Sequence, residues 1–328
     1  MYKNRQALYK SLEQARGSKI LTYVTGDRPG LEMQIHSEVF DFFVNHLDTI
    51  GVQKKISLYL YTRGGSTLTA WSLINLIRQF CDELEIIIPS KCHSAGTIMS
   101  LGANTIVMTK QATLGPIDPS VNTALNPQIE GAPPTAKVPV SVEAIKGYIE
   151  LAKAELGITA QEDLTKVLLA LSDKVHPLVL GEVYRSSSQI KMLAKRLLAN
   201  QVTNPEQIDK IVNFLCSDSG SHDYTINRRE AKNDLGLNIE KPGVELYEII
   251  KAIYDDLRAE LCFSDAYDPN GAVGTAPNAS YHYVRGVIES CDGGSNRFVS
   301  EGEFVRVASP VGGQIHDNRK FEGWRYEK

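Results

Sequence analysis

Two short stretches combine residue types that could do chemistry on a carbonyl group. Gly64-Gly65 follows a β-branched and aromatic run, and Ser94-Ala95-Gly96 opens an apolar segment after the next such run. A serine at a helix start lies beside the positive end of the helix dipole, and the amide that follows points into the same space. Glycines lack side chains, so a backbone N–H at 64 or 65 can approach a substrate carbonyl closely. Together they would form an oxyanion hole facing a serine nucleophile. Each also has a purely structural use: Ser is a common N-cap, a Gly pair turns the chain, and the small residues of SAGT permit close packing.

Holding these residues in place requires a βα framework, and the pattern supplies one. Residues 18–25 and 56–62 are strand-like runs with helical spacing over 37–50 between them; a helix near 67–81, a strand at 84–89, a short helix at 94–103 and a strand at 105–109 follow. Alternation of this kind implies a mainly parallel sheet. Both chemistry-bearing turns then fall at carboxyl ends of strands, the edge where open α/β sheets bind ligands.

Downstream, residues 115–140 are proline-rich and aperiodic, as in a long functional loop. Helical patterns occupy 141–156, 161–173 and 178–199, the last long enough to project from a globular body and serve oligomerisation. An amphipathic helix near 243–260 precedes a Gly/Asn/Pro-rich segment at 264–280, and the tail reads as a hairpin around CDGGSN. The expected division is a core over 1–260 with an insertion at 121–175, a linker over 261–280 and a β-rich tail over 281–328.

Composition excludes several classes. With 42% hydrophobic and 23% charged residues in 328, a sizeable core can be buried. Lys+Arg number 35 against 39 Asp+Glu, so no positive field favours nucleic acid. No stretch reaches the ~18 apolar residues of a membrane span, and Met1–Gly17 lacks a secretion-signal layout, so a cytoplasmic protein is expected. The five cysteines are scattered and never form CxxC, which argues against a disulfide framework or a thiolate metal site. No metal or cofactor is expected. Without a phosphate loop, any ATP-driven unfolding would come from a separate unfoldase partner.

At these residues the sequence resembles the Clp-protease/crotonase superfold, and most closely the serine dehydrogenase proteinase family of Clp-like serine peptidases. The segments that carry the resemblance are YTRGGSTLTAW (61–71), IIIPSKCHSAGTIMSLGANTIVM (86–108), LGPIDPS (114–120) and SHDYTINRREAKNDLGL (221–237), within about residues 18–260. It implies an α/β fold with a repeated β-β-α superhelical core, a helical insertion and a small β-rich C-terminal tail. It also implies a homo-oligomeric ring acting on extended polypeptides. Carried over, Ser94 falls on the nucleophile, Ala95 on the residue whose amide completes the oxyanion hole, Gly64 and Gly65 on the glycine pair, and Asp223 on the third triad carboxylate. Arg63 departs from the proline that Clp proteases place before the pair.

The partner histidine does not carry over, because Ile117 or Asp118 occupies its place in GPIDP. Asp118 is read as a turn residue. Serine needs a neighbour able to take its proton, commonly His, or a Lys whose pKa burial has lowered. His176 restores the chain order Ser, His, Asp, though it also suits helix-start hydrogen bonding. His222 adjoins Asp223 and reaches the site only if the segment bends. Lys137 would make a Ser-Lys dyad, while His93 should point away from Ser94. Two other readings stay open: a crotonase-like acyl-CoA enzyme, disfavoured by Ser94, and a catalytically inactive scaffold that has lost its base.

Overall fold

The structure, a computed structural model, describes residues 2–117, 120–218, 221, 223–307 and 314–327. It divides into two compact units: Met1–Leu114 with Ile226–Lys328, and Gly115–Thr225.

The first unit is built on one sheet. Strands β1 (Lys19–Thr25), β2 (Gln53–Tyr61), β3 (Cys81–Ile88), β5 (Thr105–Met108) and β10 (Ile239–Glu240) run parallel. Strands β11 (Asn278–Ser290), β12 (Gly294–Val307) and β13 (Gln314–Glu327) continue it antiparallel beyond β1, in the order β10-β5-β3-β2-β1-β11-β12-β13. Near-continuous apolar runs such as Leu84–Ile88 follow from burial on both faces. On one face, Tyr2, Tyr9 and Leu12 of α1 (Tyr2–Arg16) and Ile250, Ile253 and Leu257 of α10 (Val244–Glu260) cover Ile20, Val24, Tyr59 and Ile87. On the other, Phe43 of α2 (Phe40–Ile50) meets Tyr23 edge-on, and α3 (Thr67–Arg78) packs beside α2 and α4 (Ala95–Leu101).

A short second sheet joins β4 (Lys91–Cys92), β6 (Thr113–Leu114) and β9 (Ile226–Asn227). Thr62, just beyond β2, bridges to Cys92 in parallel. Each chain crossing thus leaves the large sheet, adds to the small one and enters a helix: β2, Thr62, α3, then β3, β4, α4. This is the expected repeated β-β-α core, and the α/β class stands. The expected tail at 281–328 does not stand apart: β11 pairs with β1, with Leu21 opposite Ser290, and the hairpin turn falls at 291–293. In the segment expected to link, Pro269–Val273 forms a helical turn, and the second unit, Gly115–Thr225, is wider than the insertion expected at 121–175.

The second unit carries α5 (Val142–Glu150), α6 (Gln161–Ser172), α7 (Pro177–Leu198) and α8 (Pro205–Asn213). Its core is Val121, Val140, Val142, Val179 and Val183, whereas α6 buries none of its residues.

Candidate active site

Ser94 ends the turn after β4 and caps α4 with φ 52° and ψ −114°. A non-glycine residue held at positive φ costs about 1–3 kcal/mol, which persists only where the surroundings impose it. Those surroundings are specific. His93 N–H donates to Thr62 C=O (3.0 Å), Gly96 N–H to His93 C=O (2.9 Å) and Ile98 N–H to Ser94 C=O (3.1 Å), fixing the chain on both sides of Ser94. Its side chain makes no cap hydrogen bond, and the residue is half-buried.

The glycine turn abuts it. A Cβ built on Gly64 would lie 2.7 Å from Ser94 Cβ and 3.1 Å from Ser94 Oγ, a space that only glycine leaves open. Gly64 and Gly65 adopt φ 117° and 139°, which L side chains rarely do. In the parallel bridge of Gly65 with Ile35, Ile35 N–H donates to Gly64 C=O (2.8 Å) and Ser66 N–H to Ile35 C=O (2.9 Å). The N–H of Gly65 itself is therefore directed away from that pairing. The Gly64 N–H is already spent on Thr62 Oγ1 at 3.0 Å. The Ala95 N–H, in the first turn of α4, has no intrahelical acceptor. Among the described residues the Gly65 and Ala95 amides thus have no acceptor, and both lie at the Ser94 turn.

Two histidines of this unit, His93 and His46, are engaged by other side chains. His93 Nε2 meets Thr113 Oγ1, on β6, at 2.8 Å. His46 is sealed between Ser290 Oγ (2.8 Å) and Asn296 Oδ1 (3.0 Å), and burial lowers its pKa below the usual 6.5 despite the Asn296 bond. That Ser-His-Asn cluster is buried and admits no substrate. Cys92, behind the turn, is fully buried, and desolvation pushes its thiol up to about 12, which makes it inert as a competing nucleophile.

Candidate bases lie in the second unit. His176 caps α7, its Nδ1 accepting from Leu178 N–H at 3.2 Å, and is exposed. Lys137 is half-buried and bridges to Gln128, and Asp223 is exposed with its N–H donating to Ser221 Oγ at 3.2 Å. Asp118 and His222 lie outside the described residues. Ile117 is buried, its N–H donating to Leu215 C=O at 2.9 Å. Among the described residues no group of three His, Cys, Asp or Glu side chains is arranged to hold a metal, and no helix is long and apolar enough to cross a membrane. Thr62 was not legible as a site residue: a β-branched hydroxyl residue at a strand end is common, and only its position against Gly64 marks it.

Residues 2–133 match the family of ClpP-like SDH-type serine proteinases. The match contains Gly64, Gly65, Ser94 and Ala95 and ends before Lys137, His176, His222 and Asp223. Two uncharacterized proteins of Methanocaldococcus jannaschii are similar at 26% identity over 187 residues and 24% over 197, covering 57% and 59% of this chain. The chain spans about half the length of these relatives, 54% and 56%. Similar solved structures include a mutant form of the membrane-bound stomatin-specific protease 1510-N, at 16% identity and TM-score 0.37 over 70% of this chain and 83% of that one. ClpP1 of Listeria monocytogenes is similar at 15% identity and TM-score 0.36, over 73% and 99%. The ClpP catalytic domain of Plasmodium falciparum is similar at 14% identity and TM-score 0.35, over 73% and 91%.

Proposed function

We propose that the chain is a Clp-like serine endopeptidase acting on extended polypeptides. Ser94 Oγ attacks the peptide carbonyl, the Gly65 and Ala95 amides hold the oxyanion, the amine leaves with a proton, and water releases the acyl-enzyme. The observation that carries the reading is the strained, half-buried Ser94 against the Gly64-Gly65 turn, with the Gly65 and Ala95 amides lacking an acceptor among the described residues. The proton acceptor is drawn from His176, His222 and Lys137, with Asp223 orienting a histidine. Work takes place in a homo-oligomeric ring in the cytoplasm, fed where necessary by a separate unfoldase. Exposed Leu168, Leu169, Leu178 and Tyr184 on α6 and α7 support self-association.

Fluorophosphonate labelling together with casein or peptide turnover tests the reading. Ser94→Ala is expected to abolish both, with gel filtration reporting the assembly of the same sample. Label on another residue, or turnover that survives Ser94→Ala, overturns it. The scaffold reading is favoured by Ile117 or Asp118 standing where Clp proteases place histidine, and an intact wild-type protein that takes no label would adopt it.

A further inference from the structure

The structure assigns Thr62 as the positioning residue that locks the glycine turn to the nucleophile turn, an inference that rests on the serine-peptidase reading. Thr62 is fully buried just past the end of β2. Its backbone is clamped by β4: Thr62 N–H donates to Lys91 C=O (3.0 Å) and His93 N–H donates to Thr62 C=O (3.0 Å). Its hydroxyl accepts from Gly64 N–H at 3.0 Å and from the buried Thr25 hydroxyl at 2.7 Å. Its remaining proton faces Gly64 C=O at 3.4 Å. Its methyl stands 2.5 Å from where a Cβ on Gly96 would lie, in the first turn of α4.

One side chain therefore contacts a residue next to each proposed oxyanion donor, Gly64 before Gly65 and Gly96 after Ala95. A hydroxyl offers two acceptor sites and one donor, and all three are committed here, so Thr62 carries no proton for the reaction. What it does is fix the Gly64 peptide, and so aim the next amide, that of Gly65. The methyl and the backbone hold the same residue against the turn that bears Ser94 and Ala95. Catalytic donors act only when aimed at the place where charge develops, and displacement by about 1 Å can cost about 100-fold in rate. Sequence alone hides this role, since the strand-end threonine reads as one more β-former.

Thr62→Val keeps the branched shape against Gly96 but strands the Gly64 N–H and the Thr25 hydroxyl; Thr62→Ser keeps the hydroxyl. Measured on the assembled full chain, below each variant's own melting temperature, T62V is expected to lose about 100-fold in kcat and in fluorophosphonate labelling of Ser94 at nearly unchanged KM. T62S should stay within a few-fold of wild type. A T62V protein that turns over and labels at the wild-type rate overturns the positioning role and leaves the peptidase reading intact. A folded wild type that never labels overturns the peptidase reading and the role with it. Should T62V fail to fold, Thr25→Val removes the bond that orients the Thr62 hydroxyl: a lower kcat at steady KM supports the role, and a wild-type kcat overturns it.

Discussion

Ser94 shows what sequence can and cannot disclose at the scale of one residue. Its type and its place after a strand were legible, as were the neighbouring glycines, because a nucleophile, a helix start and a side-chain-free turn leave compositional marks. The φ of 52° was not, since nothing in HSAG distinguishes a relaxed N-cap from a strained elbow. Strain of this kind implies a trade between stability and chemistry. Ser94→Gly and Ser94→Ala both remove the hydroxyl, but only glycine adopts this backbone without a steric cost. Ser94→Gly is expected to be more stable than Ser94→Ala by about 1 kcal/mol in urea unfolding, with neither variant labelled. Equal midpoints would mean that the turn is not strained.

Among elements, the parallel strands β1, β2, β3 and β5 and the helices between them were legible because near-continuous apolar runs and a 3.6-residue period are written locally. Helix α1 and strand β13 are among those that were not. Helix α1 buries Tyr2, Arg5, Tyr9 and Leu12, a face at helical spacing that an arginine and two tyrosines disguise. Strand β13 carries charges throughout, as suits an edge that must not recruit another strand. The disguise has a physical cause: Arg5 is fully buried because Glu289, on β11, is buried opposite it, with Nη2 to Oε1 at 2.6 Å and Nε to Oε2 at 3.0 Å. Asp256 and Glu260 of α10 pair with the same guanidinium, and Tyr9 donates to Glu289 at 2.6 Å. Removing one partner of a buried pair leaves an uncompensated charge, which costs about 3–5 kcal/mol. Arg5→Met is expected to destabilise the protein by that amount in urea unfolding. Adding Glu289→Gln should recover part of the loss, because a neutral amide can be satisfied by Tyr9 and Ser295. A double variant no more stable than the single one would assign the cost to packing instead.

For the whole molecule, the alternation of strand and helix could be read from the chain and the β-β-α repeat from its resemblance, whereas the pairing of β11 with β1 could not, because nothing local specifies that Leu21 meets Ser290. Long-range pairing of the same kind ties α1, β2, β3 and β10 into one charge cluster. Glu85 is fully buried and accepts from Arg16 Nε (3.0 Å), Lys55 Nζ (3.0 Å) and Ser57 Oγ (2.7 Å), while Arg16 also bonds Glu240. Burial alone would raise its pKa, but the bonds from Arg16, Ser57 and Lys55 outweigh it and hold the carboxyl below the usual 4.5. The folded carboxyl thus takes up a proton less readily than the unfolded one, so its contribution is complete above about pH 4.5 and is lost on further acidification. His46, lowered by burial, acts earlier: the unfolded imidazole takes a proton below about pH 6.5 while the folded one resists, so stability starts to fall there. Urea midpoints are therefore expected to hold from pH 8 to 7 and to decline in two arms, one beginning near 6.5 and a steeper one below 4.5. Glu85→Gln should lower the plateau and flatten the second arm alone. A second arm of unchanged slope in that variant would move the acid sensitivity to other carboxylates.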